Sequence, residues 1–174
     1  MSLLEWLGLA PETPRNPEAE IVHRISAQLD SMDPADARHL SLFAFLLARV
    51  ANVDFVVEPA EVAEMERLVA THGGLDASQA AMVVEIAKAT QRMLGPTHNF
   101  VATRELRDAA TFEQKIGLLQ CLFAVAAADG VITGDEEEEI RKISRGLLLP
   151  DGDYLAVRAG FASKRSVLQS RDGG

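Results

Sequence analysis

An internal repeat with a period of 75 residues constrains the fold of this chain more than any other feature. From about residue 20 onward the two copies align without a gap, and apolar positions fall on apolar positions. The equivalent pairs include Leu47 and Leu122, Ala51 and Ala126, Val56 and Val131, and Asp76 and Asp151. Two long copies do not make a solenoid, which stacks more and shorter units. We therefore expect two related halves that share one core.

Each copy has the periodicity of helices. Ile21, Ile25 and Leu29 recur every four residues, and the segment from Leu40 to Val50 is apolar almost all round, which predicts a buried central helix. Thr111 to Ala128 has the same character in the second copy. Ala and Leu dominate, aromatic residues make up only 5% of the chain, and no stretch alternates with the period of a strand.

Residues that start or stop helices divide each copy into four. Asp33-Pro34, Glu58-Pro59 and Asp76 open helices in the first copy, and Thr133 and Pro150 do so in the second. The last helix is marked by three apolar residues, Leu155, Val157 and Phe161. The sequence therefore predicts an all-α fold, a single-domain bundle of two four-helix repeats related by a pseudo-twofold axis.

The predicted domain covers residues 18–168, with repeats at about 18–94 and 95–168. Residues 1–17 contain three prolines that prevent regular helix, so they are expected to form an N-terminal arm. Residues 169–174 are polar and are expected to form a disordered tail.

The composition of the chain excludes some classes of partner and location. A formal net charge of -9 argues against a nucleic-acid partner and is compatible with cation binding. The single cysteine, Cys121, lies in an apolar run and is interpreted as a small core residue, which fits a reducing cytoplasm. The most apolar segment, Leu40 to Val57, is too short and polar to span a membrane. Peripheral association through the apolar residues Leu3 to Leu9 stays open.

Three acidic positions recur in both copies and are the candidate site residues. They are Asp54, Glu61 and Glu64 in the first copy and Asp129, Glu136 and Glu139 in the second. From Asp129 to Glu136 the sequence fits the second half of a calcium-binding EF-hand loop, with Gly130 in the place of the invariant glycine. The first and third loop positions fall on Val125 and Ala127, which supply no side-chain oxygen. A standard EF-hand is therefore excluded.

Helix capping is the alternative interpretation of these acids. Thr133 and Glu136 form a capping-box sequence, and acidic residues in a first helical turn complement the helix dipole. Capping does not account for Asp54 and Asp129, because a carboxylate at the end of a helix is electrostatically unfavourable. Metal binding and a purely structural role both remain open from the residues alone.

The stretch from Leu119 to Glu136 resembles the signature of the tellurite-resistance TerB family: an apolar Ala-rich helix, Ala-Asp-Gly, an apolar residue two positions on, and a Glu. The resemblance implies an all-helical fold from a duplicated unit, divalent metal at the acidic positions, and a role in tellurite or chemical-stress response, often in membrane-linked assemblies. Asp129, Glu136 and Glu139 carry over directly. The first-copy residues carry over through the repeat, where Val53-Asp54-Phe55 departs from the motif.

Two functions follow from the sequence. The first is a metal-binding helical module in a stress response, with partner proteins and a metal whose identity the residues do not give. The second is a helical protein-interaction scaffold whose acidic turns are only structural. No catalytic or cofactor-binding motif is present, so no enzymatic activity is expected.

Overall fold

The computed structural model describes residues 17–50, 59–93, 99–128 and 130–164. Within these residues the chain forms eight α-helices and one short 3-10 helix at Ala162–Lys164. The α-helices are α1 Pro17–Asp30, α2 Pro34–Val50, α3 Pro59–Gly73, α4 Ala77–Met93, α5 Asn99–Ala109, α6 Phe112–Ala126, α7 Gly134–Gly146 and α8 Asp151–Ala159. The described part of the chain contains no strand, and Ile132 alone forms an isolated β-bridge. The predicted all-α fold is confirmed, whereas the predicted N-terminal arm and polar tail lie outside these residues.

Helices α2 and α6 lie at the centre of the structure. From Leu40 to Val50 every residue of α2 except Arg49 is buried, and α6 is buried over Leu118, Leu119 and Cys121 to Ala126. Phe43 and Phe123, one from each helix, are completely enclosed. The two apolar segments singled out in the sequence are therefore the core helices, as expected for helices that are apolar almost all round.

The other helices enclose this pair across the boundary between the two copies. Helix α2 packs against α4, α5 and α7, while α6 packs against α3, α7 and α8, and α2 and α6 contact each other. Because α5 covers α2 and α3 covers α6, each copy completes the core of the other. The result is one continuous hydrophobic core.

The two copies are not equivalent in detail. Four helices follow in the same order in each, but α4 has 17 residues and its counterpart α8 has 9. Helix α4 packs on both α2 and α3, whereas α8 packs mainly on α6. The pseudo-twofold relation between the halves stays a prediction.

Side-chain caps fix two of the helix starts that the sequence indicated in the first copy. Asp33 Oδ1 accepts from the backbone N–H of Ala35 at 2.9 Å, one residue inside α2. Asp76 Oδ1 accepts from the N–H of Gln79 at 2.9 Å, and Gln79 Oε1 accepts in return from the N–H of Asp76 at 3.1 Å. Such bonds satisfy N–H groups that have no partner inside the helix.

The sequence prediction of which residues of the last helix face the core is wrong at one position. Leu155 is 48% exposed, and the buried residue of α8 is Tyr154, at 2%. The Tyr154 ring lies 5.9 Å from that of Phe123, and Phe161 stacks on the same ring at 5.6 Å, beyond the end of the helix. Packing against Phe123 of α6 therefore determines which side of this short helix faces the core.

A glycine permits the close crossing of α3 and α6. A Cβ atom on Gly117 would lie 3.2 Å from the carbonyl oxygen of His72 and 3.3 Å from that of Gly73. Both neighbours are backbone atoms at the end of α3, so they cannot rotate away as a side chain would.

We predict that Gly117→Ala lowers the free energy of unfolding. Overpacking costs about 1–3 kcal/mol, which exceeds the gain in helix propensity of about 1 kcal/mol. The measurement is urea unfolding, with Gly152→Ala in α8 as the control, because a Cβ there meets nothing within 4 Å and should raise stability. A Gly117→Ala variant as stable as the parent would show that the crossing relaxes.

Candidate metal site at the acidic turn

The second acidic turn joins α6 to α7. Helix α6 ends where the N–H of Ala127 donates to the carbonyl of Phe123 at 3.0 Å, and the N–H of Gly130 then donates to the carbonyl of Ala127 at 3.0 Å. Gly130 has a φ of 103°, a left-handed conformation that glycine adopts without strain. Ile132 is 1% exposed and anchors the turn in the core. The turn therefore reverses sharply and is fixed by an apolar residue.

Thr133 and Glu136 form the predicted capping box at the start of α7. The backbone N–H and the hydroxyl of Thr133 both donate to Glu136 Oε2, each at 2.8 Å. The N–H of Glu136 donates to Thr133 Oγ1 at 3.2 Å. One carboxylate oxygen of Glu136 is thus occupied by its own helix cap, and the capping interpretation is confirmed for this residue.

Glu139 lies one turn further along α7 and forms an ion pair with Arg49. The two side chains are only 23% and 18% exposed, and burial lowers the pKa of the Arg49 guanidinium. This pair joins the end of the central helix α2 to α7. A cation bound at Glu139 would have to share the charge of this carboxylate with Arg49.

The first-copy residues are only partly described. Glu64 accepts two hydrogen bonds from Arg67, at 2.8 and 2.6 Å, on the exposed face of α3. These bonds lower the pKa of Glu64. Glu61 belongs to the same helix, but its side chain is outside the described residues, as is Asp54.

The described residues contain no group of three or more His, Cys, Asp or Glu side chains arranged to hold a metal ion. Asp129 itself is outside the described residues, between Ala128 and Gly130. The predicted ligand set of Asp129 with Glu136 therefore stays a prediction. In the described part of the chain, Glu136 contacts Thr133, and Glu139 contacts Arg49.

Two ion pairs around the turn were not anticipated from the sequence. Arg49 is the one charged residue in the apolar run of α2. Because a charge in a buried helix requires a partner, Arg49 is itself the sequence feature that predicts an ion pair here. The other pair joins Glu137 to Arg158 at 2.5–2.7 Å, from α7 to α8. The two residues of this pair are 21 positions apart in the sequence, and helical periodicity does not predict a contact at that separation.

Cys121 is the fully buried residue that the sequence predicted. Desolvation raises the pKa of its thiol to about 12, so the nucleophilic thiolate is not formed at neutral pH. Among the described helices, none combines the length and the apolar character required to cross a membrane.

Comparison with known protein families matches residues 39–159 to the family described as tellurite resistance protein TerB. The match covers well over half of the chain and includes all six acidic positions. Comparisons with curated proteins and with solved structures gave no match.

A matched pair of variants measures the cap at the acidic turn. Thr111 forms a second capping box with Gln114 at the start of α6, with bonds of 2.8 and 3.2 Å. We predict that Thr133→Ala and Thr111→Ala each lower the free energy of unfolding by about 1 kcal/mol in the presence of a chelator. Denaturant unfolding provides the measurement. A Thr133→Ala variant with unchanged stability would mean that these hydrogen bonds do not stabilise α7.

Proposed function

This chain belongs to the TerB family of tellurite resistance proteins, and from this premise we propose that it is a divalent-metal-binding helical module in a tellurite or chemical-stress response. It acts in the cytoplasm with partner proteins, as a binding module rather than an enzyme. The proposed site is the second acidic turn, with Asp129 and Glu136 as the principal carboxylate ligands.

The backbone of Gly130 is the observation that carries this proposal. An EF-hand loop needs a glycine at its sixth position for a sharp turn, an apolar residue two positions later and a carboxylate at its end. Gly130 has the required left-handed φ of 103°, Ile132 is buried, and Glu136 follows in the first turn of α7. These features support a loop built to curve around an ion, although its first two ligand positions are filled by apolar residues.

The side chains at the turn offer the oxygen donor atoms that a hard cation prefers. Thr133 offers a hydroxyl oxygen and Glu136 a carboxylate, and hard divalent cations prefer oxygen ligands. In the cap, Glu136 Oε2 accepts two hydrogen bonds, from the backbone N–H and the hydroxyl of Thr133. Exchanging that cap for a metal bond loses about 1 kcal/mol, which is small beside the affinity of a carboxylate site.

The remaining acidic positions fit less well. Glu139 already neutralises Arg49, so a cation there would have to share the charge of this carboxylate with Arg49. Glu64 is held by Arg67 on an exposed surface. The proposed site is therefore restricted to Asp129, Glu136 and Thr133.

The main test is a thermal-shift scan with calcium, magnesium, manganese and zinc against a chelator. A ligand that binds only the folded state stabilises it, so at least one cation should raise the melting temperature. Asp129→Asn combined with Glu136→Gln should abolish that rise, because amides are poor ligands for hard cations.

The matched control for this double variant is Glu113→Gln with Asp151→Asn. Both residues are first-turn acids of other helices, α6 and α8, so the control removes the same charge from helix N-termini. It should keep the metal-dependent rise. Loss of the rise in both double variants would show that net charge, and not a site, attracts the cation.

The two acidic turns should differ in affinity. Phe55 stands where Gly130 stands in the second turn and cannot take a left-handed backbone without strain. Calorimetry should therefore show that Asp129→Asn removes the tighter binding and Asp54→Asn at most a weaker event. The reverse order would contradict the role assigned to the glycine.

One observation favours a second function, an interaction scaffold with structural acids only. The candidate carboxylates whose side chains are described already have protein partners: Glu136 in its cap, Glu139 with Arg49 and Glu64 with Arg67. This scaffold predicts no saturable binding of any of the four cations. The same thermal-shift scan therefore separates the two functions.

A further inference from the structure

A basic cleft lies at the C-terminal end of α7, the helix whose N-terminal end follows the acidic turn. It lies between α5 and α7 at the end of α2 and has a volume of about 570 Å³. Five of the 17 Lys and Arg residues of this acidic chain line it, together with an exposed leucine: Arg49, Arg104, Arg107, Lys142, Arg145 and Leu148.

The charges of the cleft are only partly neutralised. Arg49 pairs with Glu139 and Arg107 with Asp108. Lys142 lies 3.8 Å from Glu138, at the outer limit of an ion pair. Among the described residues, Arg104 and Arg145 form no salt bridge. Asp108 is nevertheless close to both neighbouring arginines, since Arg107 and, less strongly, Arg104 lower the pKa of its carboxyl. A surplus of positive charge is thus concentrated in one concave surface of a chain whose net charge is -9.

Helix dipoles account for some of these cations but not for all. Arg49, Arg107 and Arg145 lie in the last turns of α2, α5 and α7, where a partial charge of about -0.5 favours a cation. Arg104 lies in the middle of α5 and Lys142 a full turn before the end of α7. The dipole effect falls off within the last turn, so it does not account for these two residues. Lys142 has a weak i,i+4 pair with Glu138, whereas Arg104 forms no salt bridge among the described residues.

Leu148 is the second independent feature of the cleft. Its φ is 57°, a left-handed conformation that costs a leucine about 1–2 kcal/mol, and its side chain is 71% exposed. Neither burial nor backbone preference favours leucine at this position. The left-handed turn itself ends α7 in a Schellman motif, because the N–H of Leu149 donates to the carbonyl of Ser144 at 3.1 Å. Glycine is the usual residue at this position, so what remains to be explained is the exposed leucine side chain. Beside it, the buried Ile143 and Thr103 complete an apolar wall.

We propose that this cleft binds a small organic phosphate. Arg104, Arg145 and Lys142 contact the phosphate groups, and the apolar part of the molecule lies on Leu148. Arginine forms paired, charge-assisted hydrogen bonds to phosphate, and the volume falls in the range of small-molecule sites. The acidic charge of the rest of the chain disfavours nucleic acid. This site is independent of the metal proposed at the acidic turn.

Calorimetry of the full chain at low salt tests the site, with pyrophosphate and ADP as probes. Both should bind saturably, with ADP tighter because it adds an apolar body. Arg104→Gln with Arg145→Gln should weaken both probes by about tenfold or more, since a charge-assisted hydrogen bond contributes at least that factor. The control is Arg24→Gln with Arg67→Gln, which removes the same charge from α1 and α3 outside the cleft and should change neither affinity.

A Leu148→Gly variant separates binding from folding. Glycine relieves the left-handed backbone, so this variant should melt at a higher temperature than the parent. It should nevertheless bind ADP more weakly, while its affinity for pyrophosphate is unchanged. An unchanged ADP affinity would remove Leu148 from the site.

Three results would overturn the proposal. The first is no saturable binding of either probe below about 1 mM, which would show that the Lys and Arg residues of the cleft do not form a phosphate site. The second is binding that the Arg104/Arg145 variant retains in full. The third is binding to vesicles containing anionic phospholipid with no binding of the free probes, which would assign the surface to lipid headgroups.

Discussion

The burial of two helices that are apolar over most of their surface determines the rest of this structure. Over residues 40–50 of α2 and 121–126 of α6 almost no side chain reaches water, so the remaining helices must surround these segments. A fully buried Leu or Phe side chain contributes about 1.5–3 kcal/mol, and α2 alone buries Leu40, Phe43, Leu46 and Leu47. Because α5 covers α2 and α3 covers α6, the two copies of the repeat depend on each other for their stability.

One charged residue in this apolar centre shapes both candidate sites. Arg49 ends the buried run of α2 and requires a counter-ion, which α7 supplies as Glu139. The pair involves α7, the helix that follows the acidic turn and ends at the basic cleft. It makes Glu139 less available to a cation, and it brings a guanidinium into the wall of the cleft. This one ion pair therefore affects both the candidate metal site and the basic cleft.

Capping and the proposed metal binding would use the same oxygens at the acidic turn, so the cap does not by itself exclude a cation there. The cap satisfies the first N–H groups of α7 with Glu136 and Thr133. A cation would take the same oxygens and leave those N–H groups to water, at a cost of about 1 kcal/mol. Which state prevails depends on the remaining ligands, above all Asp129.

The sequence by itself determined the helices, their caps and the central pair, because periodicity and end signals are local properties of the chain. It indicated the starts of α2 at Pro34, of α4 at Ala77 and of α7 at Gly134, and it located the acidic turn between α6 and α7. The acidic turn of the first copy stays a prediction, because residues 51–58 are not among those that the structure describes. Tertiary structure decided the rest. Tyr154 rather than Leu155 enters the core because Phe123 lies opposite it, and Glu139 is paired because Arg49 reaches it from another helix. The basic cleft exists only because three helices that are distant in sequence end beside one another, an arrangement that no local pattern encodes.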